Sequence, residues 1–394
     1  MKFTKKLVNQ LAFFTPSLMH WHLTKNNREM PWKGVKEVYR IWLSEIILQQ
    51  TRVEQGRAYY EKILSAYPTV QHLADAPLEA VMKLWEGLGY YSRCRNLHIT
   101  AKQVAYEYGG KFPNTYEALL QLKGVGPYTA AAIASFAYDL PVAVLDGNVF
   151  RVLSRFLGIE MPIDSLEGKK YFGAIAQSVL DPLHPAQYNQ AIMDFGATVC
   201  KPAAPDCAHC PLQKKCDAYN SNRVGVLPVI QKKITKKTRW FIFFMMEQKG
   251  KCLVHKRTGK DIWPNLWEFP KLEVEKEKDF TRILDAIRQT GSNTRAQKKI
   301  VAKELPSDSI LTSILQKKIQ QEIRSLVLPA QTYRQALTHQ NIRAAVVLVS
   351  YSPNASVPAA GVWKTANEIK ALPFPKIIRD LMRDYPPEKC FFKQ

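Results

Sequence analysis

Four of the chain's seven cysteines fall between positions 200 and 216, spaced Cys200-x6-Cys207-x2-Cys210-x5-Cys216. In an otherwise cysteine-poor chain, chance does not cluster thiols in this way; the spacing puts four of them on one small loop. The start, "MKFTKKLVNQLAFF", is basic and then apolar, but Asn9 and Gln10 interrupt it and no small-residue cleavage site follows. It reads as a helix entry and not as a secretion signal. No apolar run approaches the roughly 18 residues of a membrane span. The chain is therefore expected to be cytoplasmic, where disulfides are rare, and the thiols read as metal ligands. Zinc sites usually offer two Cys-x2-Cys pairs, and this loop has one. The ferredoxin run, with gaps of two, two and three, fits no better. Spacing leaves zinc and iron–sulfur both open. Lys201, Lys214 and Lys215 surround the loop, which suggests that it faces a phosphate backbone.

The formal net charge is +22. A field of that size favours a polyanion, nucleic acid first, over a basic surface that merely aids solubility. With 46% hydrophobic residues, the 394-residue length accommodates two domains with full cores. From about residue 8 to 200 the pattern is of helices joined by short turns. "NTYEALLQL" predicts a helix capped by Asn114 with Tyr116, Leu119, Leu120 and Leu122 near one face, and "TAAAIASFAY" predicts another. "RVGVLPVIQKKITKKTR" has a proline, few apolar residues and a dense basic run, the signature of a linker. Beyond Arg239, "RWFIFFMM", "KCLVHKR" and "IRAAVVLVSY" read as strands, while "DFTRILDAIRQ" and "FPKIIRDLM" read as helices. The expected organisation is a mainly α domain over 1–222, a basic linker over 223–238 and a separate α+β domain over 239–394.

Two carboxylates stand out. Across Val38 and the following "YRIWLSEIILQQT", Val38, Ile41, Trp42 and Leu48 share a helical stripe, and Glu45 is set among them. Burial would raise its pKa and suit it to general acid or base work; an exposed helix-edge glutamate is the plain alternative. In "PVAVLDGNVFRVLSRFLG", Asp146 sits where an N-cap belongs, and amide donors with the helix dipole should keep it anionic. Capping alone would also explain it. Two carboxyls with pKa values pushed apart form the pattern of an acid and a charge stabiliser flanking a glycosidic bond. "LKGVGPYTAAA" joins two helices through Gly124 and Gly126, either a tight turn or a clamp whose free N–H groups hold a phosphate. "WEGLGYYSRCRNLH" is a second glycine-punctuated turn, in which Tyr90 is either a core tyrosine or a wedge for a base stack.

These pieces in this order resemble the helix–hairpin–helix DNA glycosylase superfamily with a 4Fe-4S loop. Within it, "WLSEIILQQT", "GLGYYSRCRNLH", "VLDGNVFRVLSR" and "NQAIMDFGATVC" are similar to the adenine DNA glycosylases of the MutY family, over roughly residues 20 to 220. The resemblance implies a base-excision-repair enzyme, expected to be monomeric and nucleoid-associated, that removes adenine opposite 8-oxoguanine from double-stranded DNA. It implies a 4Fe-4S cluster on Cys200, Cys207, Cys210 and Cys216. Glu45 then matches the acid that protonates adenine at N7, and Asp146 the carboxylate that stabilises or traps the oxocarbenium sugar. Tyr128 and Asn148 match residues that support the transition state and position Asp146. Arg28, Trp32, Leu48 and Gln190 line up with the pocket for the extruded base. Gln50 and Tyr90 match residues inserted into the duplex, and Lys123, Gly124 and Gly126 the hairpin on the backbone. "REMPWKG" departs from the usual Leu-Pro-Trp-Arg, with Met30 and Lys33 in place of Leu and Arg; a lysine cannot copy a bidentate arginine contact.

The C-terminal domain resembles the Nudix-like domain of the same family. "DFTRILDAIRQTGSNT" lacks the carboxylates of the Nudix box, so Mg²⁺-dependent pyrophosphatase chemistry is not expected. Where the family has Phe-Ser-His in a loop facing 8-oxoguanine, the candidate here is "ALTHQ" with Leu337, Thr338 and His339; an ordinary turn before the next strand is the competing reading. Among rival functions, a bifunctional glycosylase–lyase resembling endonuclease III needs a lysine amine in the hairpin for its Schiff base, and the matching residue is Tyr128. A non-catalytic DNA-binding protein would have no need of both Glu45 and Asp146.

Overall fold

Short apolar stretches punctuated by glycine and proline build the helical part. In the computed structural model, which describes residues 5–231, 235–290, 323–357 and 360–390, they form α1 (Lys5–Lys25), α2 (Val38–Leu48), α3 (Val53–Ala66), α4 (Val70–Asp75), α5 (Leu78–Leu84), α6 (Tyr91–Lys102), α7 (Tyr116–Leu119), α8 (Pro127–Tyr138), α9 (Gly147–Leu157), α10 (Leu166–Val179), α11 (Pro185–Thr198) and α12 (Asp217–Asn220). The chain divides into two units: Met1–Ala76 with Ser92–Lys233, and Pro77–Tyr91 with Ile234–Gln394. Part of the basic linker, residues 232–234, and the end of "DFTRILDAIRQTGSNT", residues 291–294, lie outside the described residues. No helix among the described residues is long and apolar enough to cross a membrane.

In the first unit α11 packs against α1, α8 and α9. Phe14 and Leu18 of α1, Val152 and Phe156 of α9, Phe172 of α10 and Phe195 of α11 meet in its core. Each such side chain contributes about 1.5–3 kcal/mol by leaving water. Phe14 and Phe156 bring their rings to 4.9 Å. Gly196 allows α11 to close on α9, because a Cβ there would meet Asn148 Cβ at 2.6 Å and Asn148 Cα at 3.1 Å. The helix α2 is buried on nearly every side, at Tyr39 and from Ile41 through Ile47. Its free C-terminal carbonyls are taken by Arg93, whose Nη1 donates to Ile46 O at 2.9 Å, Ile47 O at 2.8 Å and Gln49 O at 2.5 Å. One cap differs from expectation. Thr115 and not Asn114 caps α7, accepting the Ala118 N–H at 3.3 Å, and the helix lasts one turn before the hairpin begins.

The second unit holds a mixed sheet of β1 (Lys237–Gln248), β2 (Lys251–Lys256), β3 (Trp267–Glu268), β4 (Lys271–Val274), β5 (Ile323–Val327), β6 (Tyr333–Ala336), β7 (Gln340–Tyr351) and β8 (Val362–Thr365). The order β3-β2-β1-β7-β5 places β1 and β7 together at the centre, in parallel. Residues Phe241 to Glu247 of β1 are all buried, which is why this strand reads as a continuous apolar run and not as an alternation. Helix α13 (Glu277–Thr290) lays Phe280, Ile283, Leu284 and Ile287 against Ile242, Phe244 and Val347. Then follow α14 (Ala366–Ala371), α15 (Lys376–Asp384) and α16 (Pro387–Cys390). The stretch 77–91 joins this unit through paired polar groups. Glu79 accepts from Trp267 Nε1 at 2.8 Å and Lys256 at 3.0 Å, and Glu86 accepts the Phe374 N–H at 2.9 Å.

Candidate active site

The end of α2 and the start of α9 bring Glu45 and Asp146 to the same cavity of about 630 Å³. Glu45 is 6% exposed, and its Oε2 accepts the Tyr128 hydroxyl at 2.7 Å. Burial is the main reason that its pKa rises from the ordinary 4.5 to about 7; the Tyr128 hydrogen bond opposes the rise and the nearby Asp146 charge adds to it. The Tyr128 phenol is itself pushed well above its usual range, first by burial and then by the two carboxylates, so it remains a donor.

Asp146 caps α9 as its sequence context predicts. Its Oδ1 accepts the Val149 N–H at 2.8 Å, and Oδ2 accepts Asn148 Nδ2 at 2.7 Å. The expected direction of its pKa is corrected, however. Burial outweighs the cap and raises it above the ordinary value, while the Val149 and Asn148 donors and the Arg151 charge hold the rise back. Asn148 is fixed in turn by Arg151, whose Nη2 donates to Asn148 Oδ1 at 2.8 Å and Gly196 O at 2.7 Å and whose Nε donates to Cys200 O at 2.7 Å. One buried guanidinium thus spans the cap of α9, the end of α11 and the first residue of the cysteine loop.

Gly124, Gly126, Leu48, Trp32, Arg28 and Gln190 also line this cavity. Gly124 has φ +77°, and a Cβ on it would meet Asn96 at 2.6 Å, so the turn requires glycine. The exposed Lys123 is held by its backbone: its N–H donates to Gln103 Oε1 at 2.8 Å, and its carbonyl accepts the Thr100 hydroxyl. Around Gly126 a Cβ would meet nothing within 4 Å, which leaves room for a ligand to approach the backbone. Gln50, at the cavity's rim, and Tyr90, in the second unit, are both exposed and both have positive φ, 56° and 48°. That conformation is uncommon for residues other than glycine. Tyr90 Oη lies 2.7 Å from Thr338 Oγ1, which brings two of the sequence candidates together. Thr338 and the exposed His339 form the turn between β6 and β7, so a strand precedes "ALTHQ".

Residues 43–170 match the HhH-GPD superfamily of base excision DNA repair proteins, and residues 241–384 match the NUDIX domain. The adenine DNA glycosylase of Buchnera aphidicola subsp. Baizongia pistaciae is 34% identical over 289 residues, covering 73% of this chain and 79% of that protein. The chain belongs to the adenine DNA glycosylase family. The Rattus norvegicus adenine DNA glycosylase is 44% identical over 233 residues, 56% of this chain and 45% of that protein. Among solved structures, a thermostable thymine-DNA glycosylase superposes with a TM-score of 0.52 at 27% identity, covering 55% of this chain and 100% of its own. The protein is thus a DNA glycosylase, a hydrolase with a helical helix–hairpin–helix region and a C-terminal Nudix-like domain.

The family implies an iron–sulfur cluster, and the donor chemistry of the cysteine loop fits one. Cys207, Cys210 and Cys216 all have thiol pKa values raised, first by burial and then in part by neighbouring thiols of the set, with Cys210 pushed up to about 12. Arg155 Nη1 lies 3.6 Å from Cys200 Sγ and donates to Lys201 O at 2.7 Å. Among the described residues no group of three or more His, Cys, Asp or Glu is arranged to hold a metal ion, so the fit rests on donor identity and not on ligand geometry.

Two residues that hold the site escaped the sequence reading. Arg151 lies in the α9 motif but looks like one more surface arginine. Asp194 is an acid among Ala191, Ile192 and Phe195, the same pattern that singled out Glu45; it is fully buried and pairs with Arg28 and Lys33. Lys33, the departure noted above, thus has a partner within the fold.

The raised pKa of Glu45 has a consequence for stability. Its folded-state pKa exceeds the unfolded one, so the folded protein is penalised as pH rises from about 4.5 to about 7, and by a constant amount above that. Glu45→Gln is expected to be more stable than the parent at pH 8, by up to about 3 kcal/mol, with the gain vanishing below pH 4.5. Urea denaturation at pH 4.5 and pH 8 measures it; equal stabilities at pH 8 would contradict the burial of an ionisable Glu45.

Proposed function

We propose that the protein hydrolyses the N-glycosidic bond of adenine paired with 8-oxoguanine or guanine in duplex DNA, without a lyase step. The observation that carries this reading is the unequal treatment of two carboxyls in one cavity. Glu45 is buried with a single hydroxyl donor, whereas Asp146 has two N–H donors and Arg151 nearby. The shared proton therefore belongs on Glu45, and the anion on Asp146. The base leaves the stack at a cost of a few kcal/mol and enters among Arg28, Trp32, Leu48 and Gln190. Glu45 gives its proton to N7, the C1′–N9 bond breaks with its electron pair going to the base, and the sugar becomes an oxocarbenium ion. Asp146, steadied by Asn148, stabilises that cation; water adds to C1′ and loses a proton to a carboxylate. The Lys123 side chain and the backbone around Gly124 and Gly126 are suited to a phosphate, and Gln50 and Tyr90 to insertion into the duplex. Thr338 and His339 are suited to the oxidised edge of guanine. Cys200, Cys207, Cys210 and Cys216 would hold a 4Fe-4S cluster, which would cross-link the loop; Arg151 and Arg155 tie that loop to α9 through Cys200 O and Lys201 O.

Single-turnover assay of a duplex carrying adenine opposite 8-oxoguanine is expected to give strand cleavage only after alkali. Glu45→Gln should slow excision by about 10²–10⁴-fold while duplex binding is kept. Efficient borohydride trapping of the parent protein would instead indicate lyase chemistry, and a Glu45→Gln variant with the parent rate would sink the acid assignment.

Protein purified anaerobically is expected to be straw-brown, with iron and acid-labile sulfide. Stoichiometric zinc without iron would overturn the cluster.

A further inference from the structure

The cavity's neighbourhood holds a third carboxylate, which no step above uses. Asp194 lies on α11 one turn beyond Gln190 and is 0% exposed. It gathers four donors: Arg28 Nη1 at 2.8 Å and Gln190 Nε2 at 3.0 Å on Oδ1, and Asn26 Nδ2 at 2.9 Å and Lys33 Nζ at 3.1 Å on Oδ2. Arg28 and Gln190 line the cavity that contains both catalytic candidates. Gln190 and Lys33 line a second cavity of about 240 Å³ that also reaches Glu45. A single buried acid therefore holds three side chains of the surface that a base would meet.

The chemistry of that contact has a direction. A carboxylate can only accept, so Gln190 must turn its NH₂ toward Asp194, which leaves its carbonyl Oε1 for the cavity. An acceptor fixed there attracts an exocyclic amine and repels a carbonyl. We propose that Asp194 is a specificity-determining positioning residue: it locks the Gln190 amide with its oxygen toward the extruded base, so that a 6-aminopurine is accepted and a 6-oxopurine is refused. The inference rests on the reading that this cavity takes an extruded purine. Asp194 also neutralises one of the two cations beside it. Without it Arg28 and Lys33 would present unpaired donors, which suit a carbonyl.

The test compares single-turnover excision of adenine and of hypoxanthine, each opposite 8-oxoguanine in the same duplex. Asp194→Ala is expected to narrow the adenine-over-hypoxanthine ratio by about tenfold or more, the scale of a mismatched polar contact in a buried site. Gln190→Leu should narrow it similarly, and the double variant should narrow it no further. A general loss of structure would lower both rates by one factor; that result, with the ratio unchanged, overturns the inference and leaves the proposed function standing. A parent protein that releases no adenine overturns the proposed function instead. Should Asp194→Ala not fold, the Gln190 side-chain NH₂ of the parent protein, assigned by its loss in Gln190→Leu, gives the answer by NMR. Protection of these protons from solvent exchange is expected, and exchange at the rate of a free side-chain amide overturns the lock.

Discussion

Two carboxyls in one cavity cannot be treated alike if one is to carry a proton and the other a charge, and the helical unit is built around keeping them unequal. Glu45 gets burial and one phenol. Asp146 gets the first turn of a helix, an asparagine amide and a nearby guanidinium. Each treatment needs support from elsewhere. Arg93 closes the open end of α2, so the helix can stop just after Glu45 and release Gln49 and Gln50 into the turn. Gly196 lets α11 press on Asn148, and Arg151 ties that contact to the start of the cysteine loop. The loop is thereby tied to the candidate site through a hydrogen bond to its first carbonyl.

Much of the site was legible because its residues break local patterns. Glu45 interrupts an apolar stripe, and Asp146 stands between a run of apolar residues and a helix with Gly147 and Asn148 following. Glycines at 124 and 126 announce a turn, and the structure gives the first of them positive φ. What was not legible depends on partners distant along the chain. Asp194 is recognisable as an odd acid on an apolar face, but its meaning comes from Arg28, 166 positions away. Arg93 acts on carbonyls more than forty positions before it. The direction of the Asp146 shift was missed because a cap is local and burial is not. Thr115 displaced Asn114 as a cap because either side chain suits the role, and only the backbone decides which one reaches an N–H.

The second unit shows the same division between local and distant information. Its central strands were readable because β1 and β7 are covered on both faces and therefore consist of nearly uninterrupted apolar residues. The parallel pairing of these two strands, and the β6–β7 hairpin that carries Thr338, could not be read locally. The association of residues 77–91 with this unit was equally hidden, since Glu79 and Glu86 find partners 177 to 288 positions later in the chain. Composition marks where a chain changes texture, but it does not mark a short helical stretch whose polar groups are satisfied by another part of the sequence.

The central claim is that Glu45 holds a proton near neutrality and delivers it to the leaving base. The pH dependence of single-turnover excision from a duplex with adenine opposite 8-oxoguanine tests it most directly. An acid must be protonated to act, and burial places the pKa of Glu45 at about 7. The rate constant should therefore be highest on the acid side of that value and fall about tenfold per pH unit above it, with a second decline only at lower pH, where Asp146 gains its proton. A rate constant that stays level, or rises, from pH 6 to pH 9 would contradict the account.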